Sequence, residues 1–227
     1  MKITIIGYGK MGREVEQILL QRGHEILSII KDRKELENLI PGKSICIDFT
    51  TPDAFRKNYK LIADKFSGAI VGTTGWYDIL PEIKKYFISK KRKLIYGTNF
   101  SVGVNILFEI TDYASALLGK FDYNPYIIEL HHKEKKDAPS GTALTLKNII
   151  GKNIKSDITV SSIRKGFIKG IHDTGYESEV DRINIRHEAY SRKGFALGAV
   201  LAAEWIGKTK APIEFKELFR QKLKNIK

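Results

Sequence analysis

The opening stretch KITIIGYGKMG, Lys2 to Gly12, decides how the first half of the chain is read. Its β-branched run predicts a buried strand, and the glycines that follow break it before an amphipathic segment begins at Lys10. The three glycines suit three different demands. Gly7 permits a tight turn, Gly9 lets backbone come close to a phosphate, and Gly12 lets helix and strand pack closely. Unpaired N–H groups at the start of the helix, together with its dipole, then favour an anion such as a dinucleotide pyrophosphate. Glycine-rich turns also serve packing alone, so the pattern takes its meaning from what surrounds it.

The surroundings repeat the same unit. EILSII (25–30), SICIDF (44–49), GAIVGT (68–73) and KLIYGT (93–98) read as strands, while residues 10–22, 33–40, 52–65 and 79–90 carry apolar positions at helical spacing. Such alternation predicts an α/β, Rossmann-like unit, a parallel sheet with helices on both faces. A longer helix is expected from Ser101, as N-cap, to Gly119, with Val104, Leu107, Phe108 and Ala114 on one face. Beyond about residue 122 the pattern changes. NPYIIELHH, ITVSSIRKG, FIKGIHD and DRINIRHEA read as strands, interrupted by a helix at SGTALTLKNII, which predicts a second α+β unit on a more open sheet. GFALGAVLAAEWI (194–206) is helical again, and the basic tail 208–227 reads as a solvated, partly helical end.

Composition narrows the classes. The chain has 227 residues, 42% hydrophobic and 29% charged, which suits one large or two small globular domains. No apolar run approaches the ~18 residues of a membrane span, and the apolar start is too soon broken by glycine for a signal peptide, so a cytoplasmic protein is expected. The single cysteine, Cys46, reads as a buried structural thiol. A net charge of +13 is compatible with a nucleic acid or an anionic small molecule, and its spread along the chain does not choose. Neither an aromatic-rich basic strand pair nor a helix-turn-helix pattern supports the nucleic acid.

The second strand should end with an acid for the adenosine ribose. Here it ends IIKDR: Lys31 stands where that acid is commonest, and Asp32 follows one step later. A cation attracts a 2′-phosphate and an acid repels it, so Lys31 and Arg33 fit NADPH while Asp32 leaves NADH open. GTTGW (72–76) and GTNFSVGVN (97–105) fall at the carboxyl ends of predicted strands, where ligands of open α/β sheets bind. Gly72, Thr73 and Thr74 are placed to border a nicotinamide on one side, with Asn99, Phe100 and Ser101 on the other. The plain alternative is that these are turn and capping residues.

A second cluster stands in ELHHKEKKDAPSGTAL, Glu129 to Leu144. On a strand, His131 and His132 point to opposite faces and make a poor metal pair, and no Cys or further carboxylate cluster stands at metal spacing, so no metal is expected. Pro139-Ser140-Gly141-Thr142 begins a helix in which Ser140 can cap and the N–H groups of Gly141 and Thr142 can receive an anion, for which a carboxylate is well suited. Lys135 and His132 add positive charge, and an imidazole with a pKa near ~6.5 donates a proton at neutral pH. The chemistry suggested is reduction of an unsaturated anion: hydride from a cofactor, proton from an acid. A lysine-rich solvated loop is the plain alternative.

Taken in order and spacing, GYGKMGR, GTTGW, GTNFSVGVN and above all ELHHKEKKDAPSGTA resemble the dihydrodipicolinate (4-hydroxy-tetrahydrodipicolinate) reductase family of the diaminopimelate route to lysine. The likeness covers nearly the whole chain, including SIRKGFIKGIHD and INIRHEAYSRKGFALGAVLAAEWI. It implies a dinucleotide-binding domain over 1–100 plus 195–227. A domain over 101–194, on an open mixed sheet, would bind substrate and build a homotetramer. It implies hydride transfer from NADH or NADPH to a cyclic unsaturated dicarboxylate, with no metal, nucleic acid or membrane involved. His131 would be the proton donor and acceptor, and Lys135 a proton donor. His132, Ser140, Gly141 and Thr142 would bind substrate. Gly7, Tyr8, Gly9, Lys10, Met11, Gly12, Lys31, Asp32, Gly72, Thr73, Thr74, Thr98, Asn99, Phe100 and Ser101 would line the cofactor. Two positions depart from the family pattern: Lys31 replaces a frequent acid, and Lys165 stands where a glycine is usual beside Arg164. An aspartate-dehydrogenase-like enzyme or a non-catalytic NAD(P)-sensing regulator would share the glycine loop, but has no reason to carry the His-His-Lys and Pro-Ser-Gly-Thr cluster.

Overall fold

In the computed structural model, which describes residues 1–224, β1 (Lys2–Ile6) turns at Gly7, with φ at +86°, into α1 (Lys10–Gln21). There follow β2 (Glu25–Ile30), α2 (Arg33–Asn38), β3 (Ile45–Asp48), α3 (Pro52–Lys65), β4 (Gly68–Val71), α4 (Leu80–Ser89) and β5 (Lys93–Tyr96). Next come α5 (Val102–Leu118), β6 (Asn124–His131), α6 (Gly141–Asn153), β7 (Thr159–Arg164), β8 (Ile171–Glu177) and β9 (Arg182–Glu188). The chain closes with α7 (Lys193–Trp205), β10 (Ile213–Glu214) and α8 (Phe215–Leu223). Two units result: residues 1–101 with the chain from Arg192 onward, and Val102–Ser191.

The first unit is a parallel sheet in the order β10-β5-β4-β3-β1-β2. Its strands are short and apolar on both sides because both faces are covered. Cys46, Ala69, Val71 and Leu94 meet Phe55 and Ile62 of α3 and Ile83 and Phe87 of α4. Alternate residues Ile5, Ile47, Ile70 and Ile95 are fully buried as well, and α7 packs on α1 and across β3 and β4. Gly198 of α7 sits directly over the Phe100 carbonyl, where any Cβ would collide. Local signals set the helix starts: the Thr51 hydroxyl caps α3 by accepting from the Ala54 N–H at 3.3 Å, with Pro52 in the first turn.

The tail differs from its reading as a solvated end. Residues 213–214 add an edge strand beside Ile95 and Tyr96, and Phe215, Leu218 and Phe219 are buried. Phe215 stacks on Phe100 at 4.6 Å between ring centroids. Aromatic burial at helical spacing outweighed a basic composition. Residues 225–227 of that stretch lie outside the described residues.

The second unit is a mixed sheet in the order β7-β6-β8-β9, with β6 and β7 parallel and the other pairs antiparallel. Val104, Leu107 and Phe108 of α5 and Ala143, Leu146 and Ile150 of α6 form its core with Ile127 and Tyr176, and Ala114 packs at the margin. β6 alternates, with Ile127, Glu129 and His131 buried toward the helices and Tyr126, Ile128 and Leu130 half-exposed on the other face. The strand expected over FIKGIHD is displaced: Phe167 is exposed, and the strand begins at Ile171 and continues to Glu177. Gly166, at φ +57°, and Gly170, at φ +154°, break the chain ahead of it. Among the described residues no helix is long and apolar enough to cross a membrane.

Candidate active site

In the first unit the glycine loop has the geometry an anion needs. Gly9 is the N-cap of α1, so no side chain caps the first-turn N–H groups, and a Cβ at Gly9 would meet nothing within 4 Å. Gly7 lies against the Phe49 carbonyl, and a Cβ at Gly12 would strike the Gly7 carbonyl. A pyrophosphate fits this open, donor-rich turn. Tyr8, with its hydroxyl on Glu16 and the Arg13 guanidinium 4.9 Å over its ring, flanks the loop, as do exposed Lys10 and half-buried Met11.

At the end of β2 a cavity of about 420 Å³ is lined by Lys31, Asp32, Arg33, Thr50, Asp53 and Lys57, among others. Asp32 is drawn into the start of α2: its Oδ1 accepts from the Glu35 N–H at 2.9 Å while Glu35 Oε2 accepts from the Lys31 N–H at 2.6 Å. Arg33 is engaged with Glu37, the Lys57 carbonyl and Asn58. The Lys31 ammonium enters no ion pair among the described residues.

The loops after β4 and β5 carry both packing and exposed surface. Gly72 lies against the Phe49 ring, Thr73 is buried, and Thr74 is exposed. The Thr73 carbonyl accepts from the indole of fully buried Trp76 at 2.6 Å. Thr98 is exposed, and Asn99 Oδ1 accepts from the Ser101 N–H at 2.8 Å. The Phe100 ring is committed to Phe215 and Phe49, and its carbonyl lies under Gly198, so this residue shapes the loop from within.

In the second unit the residues of ELHHKEKKDAPSGTA gather around Glu129, a carboxylate assigned no role above. Glu129 and His131, two apart on β6, share its buried face, with Glu129 Oε2 2.5 Å from His131 Nδ1. The contact lies off the line of a well-aligned hydrogen bond and becomes an ion pair when the imidazole is protonated. Arg164 of β7 donates to Glu129 Oε1 at 2.6 Å and to the Asp137 carbonyl. His172 of β8 stands edge-on to His131, with ring centroids 5.1 Å apart, and its Nε2 is 3.2 Å from Ser140 Oγ. Ser140 caps α6, accepting from the Ala143 N–H at 3.2 Å, and Gly141 and Thr142 open the helix. A Cβ at Gly141 would meet open space. His132 is half-buried, and Lys135 pairs with Asp137 at 2.8 Å.

Burial pushes the Glu129 carboxyl up, but Arg164 and the other polar neighbours outweigh it and bring it down to about 2. His131 is held below its ordinary range by burial, against the upward pull of Glu129. His172, more deeply buried and beside His131, falls to about 3 and is neutral at physiological pH. Glu129, His131 and His172 bring nitrogen and oxygen atoms within 4.8 Å of one another, a grouping across two strands that the spacing along the sequence did not show. Arg164 already neutralises the carboxylate, and Lys135 adds positive charge nearby, so the cluster is electrostatically arranged for anions. Period-2 alternation could have found Glu129. His172 and Arg164 depend on strand pairing and had no local signal.

A parallel nucleotide-type sheet with a bare-capped glycine loop, in one chain with a mixed-sheet unit that carries a buried His, Glu and Arg cluster, defines a class: NAD(P)H-dependent oxidoreductases. Comparison with known proteins narrows it. The model of the dihydrodipicolinate reductase N-terminus matches residues 1–100, and that of its C-terminus residues 103–219. The 4-hydroxy-tetrahydrodipicolinate reductase of Christiangramia forsetii is 35% identical, covering 99% of this chain and 100% of its own. That of Thermosipho africanus is 34% identical, covering 97% and 99%. A dipicolinate-bound dihydrodipicolinate reductase from Paenisporosarcina has the same fold, with a TM-score of 0.79 at 20% identity over 96% of this chain and 99% of its own. The chain belongs to the dihydrodipicolinate reductase family.

Proposed function

We propose that this protein catalyses the NAD(P)H-dependent reduction of 4-hydroxy-tetrahydrodipicolinate, or its dehydrated ring, to tetrahydrodipicolinate, on the route to diaminopimelate and lysine. The observation that carries the reading is the gathering of His131, Arg164, His172 and the start of α6 around Glu129 in one buried cluster. The first unit is read as the dinucleotide-binding domain and the second as the substrate domain.

A bound dihydronicotinamide supplies the hydride; every other task falls to the chain. The α6 N-terminus at Gly141 and Thr142 offers N–H groups and a dipole to one carboxylate of the substrate. Lys135 and His132 add positive charge for a doubly negative ring, and His131 gives the proton that balances the hydride. On the hydroxylated ring Lys135, paired with Asp137 in the free protein, donates a proton to the hydroxyl, which leaves as water while the ring loses a proton to solvent; hydride and the His131 proton then reduce the dehydrated ring. Lys31, Tyr8, Lys10, Met11 and the loops at 72–74 and 98–101 hold the cofactor.

The second unit's sheet has its helices on one face and leaves the other with half-exposed Ile128, Leu130 and Ile163 beside Asp173 and Arg186. Covering that face with further copies accounts for its apolar content and supports a homotetramer. The reading also places the enzyme in the cytoplasm, where metabolite and reduced cofactor are available. Oxidation of NADPH and NADH, followed at 340 nm on substrate made in situ by the preceding synthase, tests the activity. No turnover with either cofactor would reject it. Sedimentation of the purified enzyme tests the assembly.

A further inference from the structure

We infer that Glu129 is the positioning residue of this reaction: its buried carboxylate holds the His131 ring with a proton on Nδ1, so that Nε2 is the atom exchanging a proton with substrate. The inference rests on the activity proposed above and assigns a role within that site.

Glu129 is fully buried, and a carboxylate in that position costs several kcal/mol of desolvation unless each oxygen is satisfied. Oε1 carries most of the compensation, taking Arg164 Nη2 at 2.6 Å and the Ser140 N–H at 3.2 Å; Oε2 has no aligned donor and stands 2.5 Å from His131 Nδ1. An ionised carboxylate can only accept, and a bare Nδ1 at that distance would set two lone pairs against each other, so Nδ1 bears the proton. On the ring's other side a Cβ at Gly170 would come within 3.1 Å of Nε2, so the absence of a side chain there keeps Nε2 uncovered. Through Ser140 the same carboxylate fixes the residue that caps α6, so one group sets both the imidazole and the start of the anion-binding helix.

The charged and titratable groups facing His131 are Glu129 on its own strand, Lys135 on the following loop, Arg164 on β7 and His172 on β8. Glu129 is the only one of these that raises the His131 pKa, so its removal lowers it. A purely structural Glu129 would matter for stability but would leave the ring's tautomer and the pH profile alone.

The test has two arms. In the wild-type protein, nitrogen-15 NMR of the histidines above neutral pH should show His131 protonated on Nδ1 and bare on Nε2. The reverse tautomer overturns the inference whatever the variants do. In Glu129→Gln, kcat should fall by about 10²-fold, the alkaline limb of its pH profile should move to lower pH, and cofactor affinity should stay within about twofold. A folded Glu129→Gln enzyme with unchanged kcat and pH limb also overturns it. If that variant does not fold, the wild-type spectrum decides alone. Absence of wild-type turnover would instead reject the proposed activity, and the tautomer measurement would still stand.

Discussion

Thr73 donates its hydroxyl proton to Oδ1 of Asp48 across 2.9 Å, and that bond ties the loop after β4 to the end of β3. Asp48 is fully buried; burial pushes its carboxyl up, and the same Oδ1 also takes the Thr50 N–H and hydroxyl. Thr73→Val keeps the shape and removes the donor. Urea unfolding should show a loss of about 1–3 kcal/mol, with weaker NADPH binding because Thr73 and Thr74 border the proposed nicotinamide site. Unchanged stability would show that the bond contributes nothing net.

His131→Ala and Lys135→Ala should each lower kcat by about 10²–10⁴-fold while cofactor affinity, followed by fluorescence titration, changes little. Lys133 and Lys136 are exposed and outside the proposed machinery, so their Ala variants should remain within about threefold of wild type. A large loss at either would move the site.

Lys31 lines the cavity at the end of β2 and has no carboxylate partner among the described residues, while the Asp32 carboxylate is engaged at the start of α2. Lys31→Ala should therefore raise KM for NADPH by about tenfold, the worth of one charged phosphate contact of ~1.4 kcal/mol. KM for NADH should change little. Equal effects on the two cofactors would remove Lys31 from 2′-phosphate recognition.

The second unit should be acid-labile for two reasons of the same sign. His172 is depressed from 6.5 to about 3, so the unfolded chain takes its proton first, and stability falls as pH drops from about 6.5 toward 3. Glu129 is depressed from 4.5 to about 2, so the stability it contributes is full above 4.5 and is lost as pH falls toward 2. Urea midpoints measured from pH 7.5 down to about 2 should decline through both windows, and His172→Gln should flatten the upper one. A slope unaltered in that variant would assign the lability to general charge repulsion instead.

The sequence by itself determined the strand and helix alternation of the first unit, its glycine turn, the Ser140 cap and the family, because each of these is written in residues close together along the chain. Tertiary structure alone decided the rest. It brought Arg164 and His172 to Glu129 through the pairing of β7 and β8 with β6, started β8 at Ile171, and turned a basic tail into an edge strand and a buried aromatic helix. Local propensity cannot specify these, since a strand's partners and register are chosen by which long-range pairing buries the most apolar surface and satisfies the most charge.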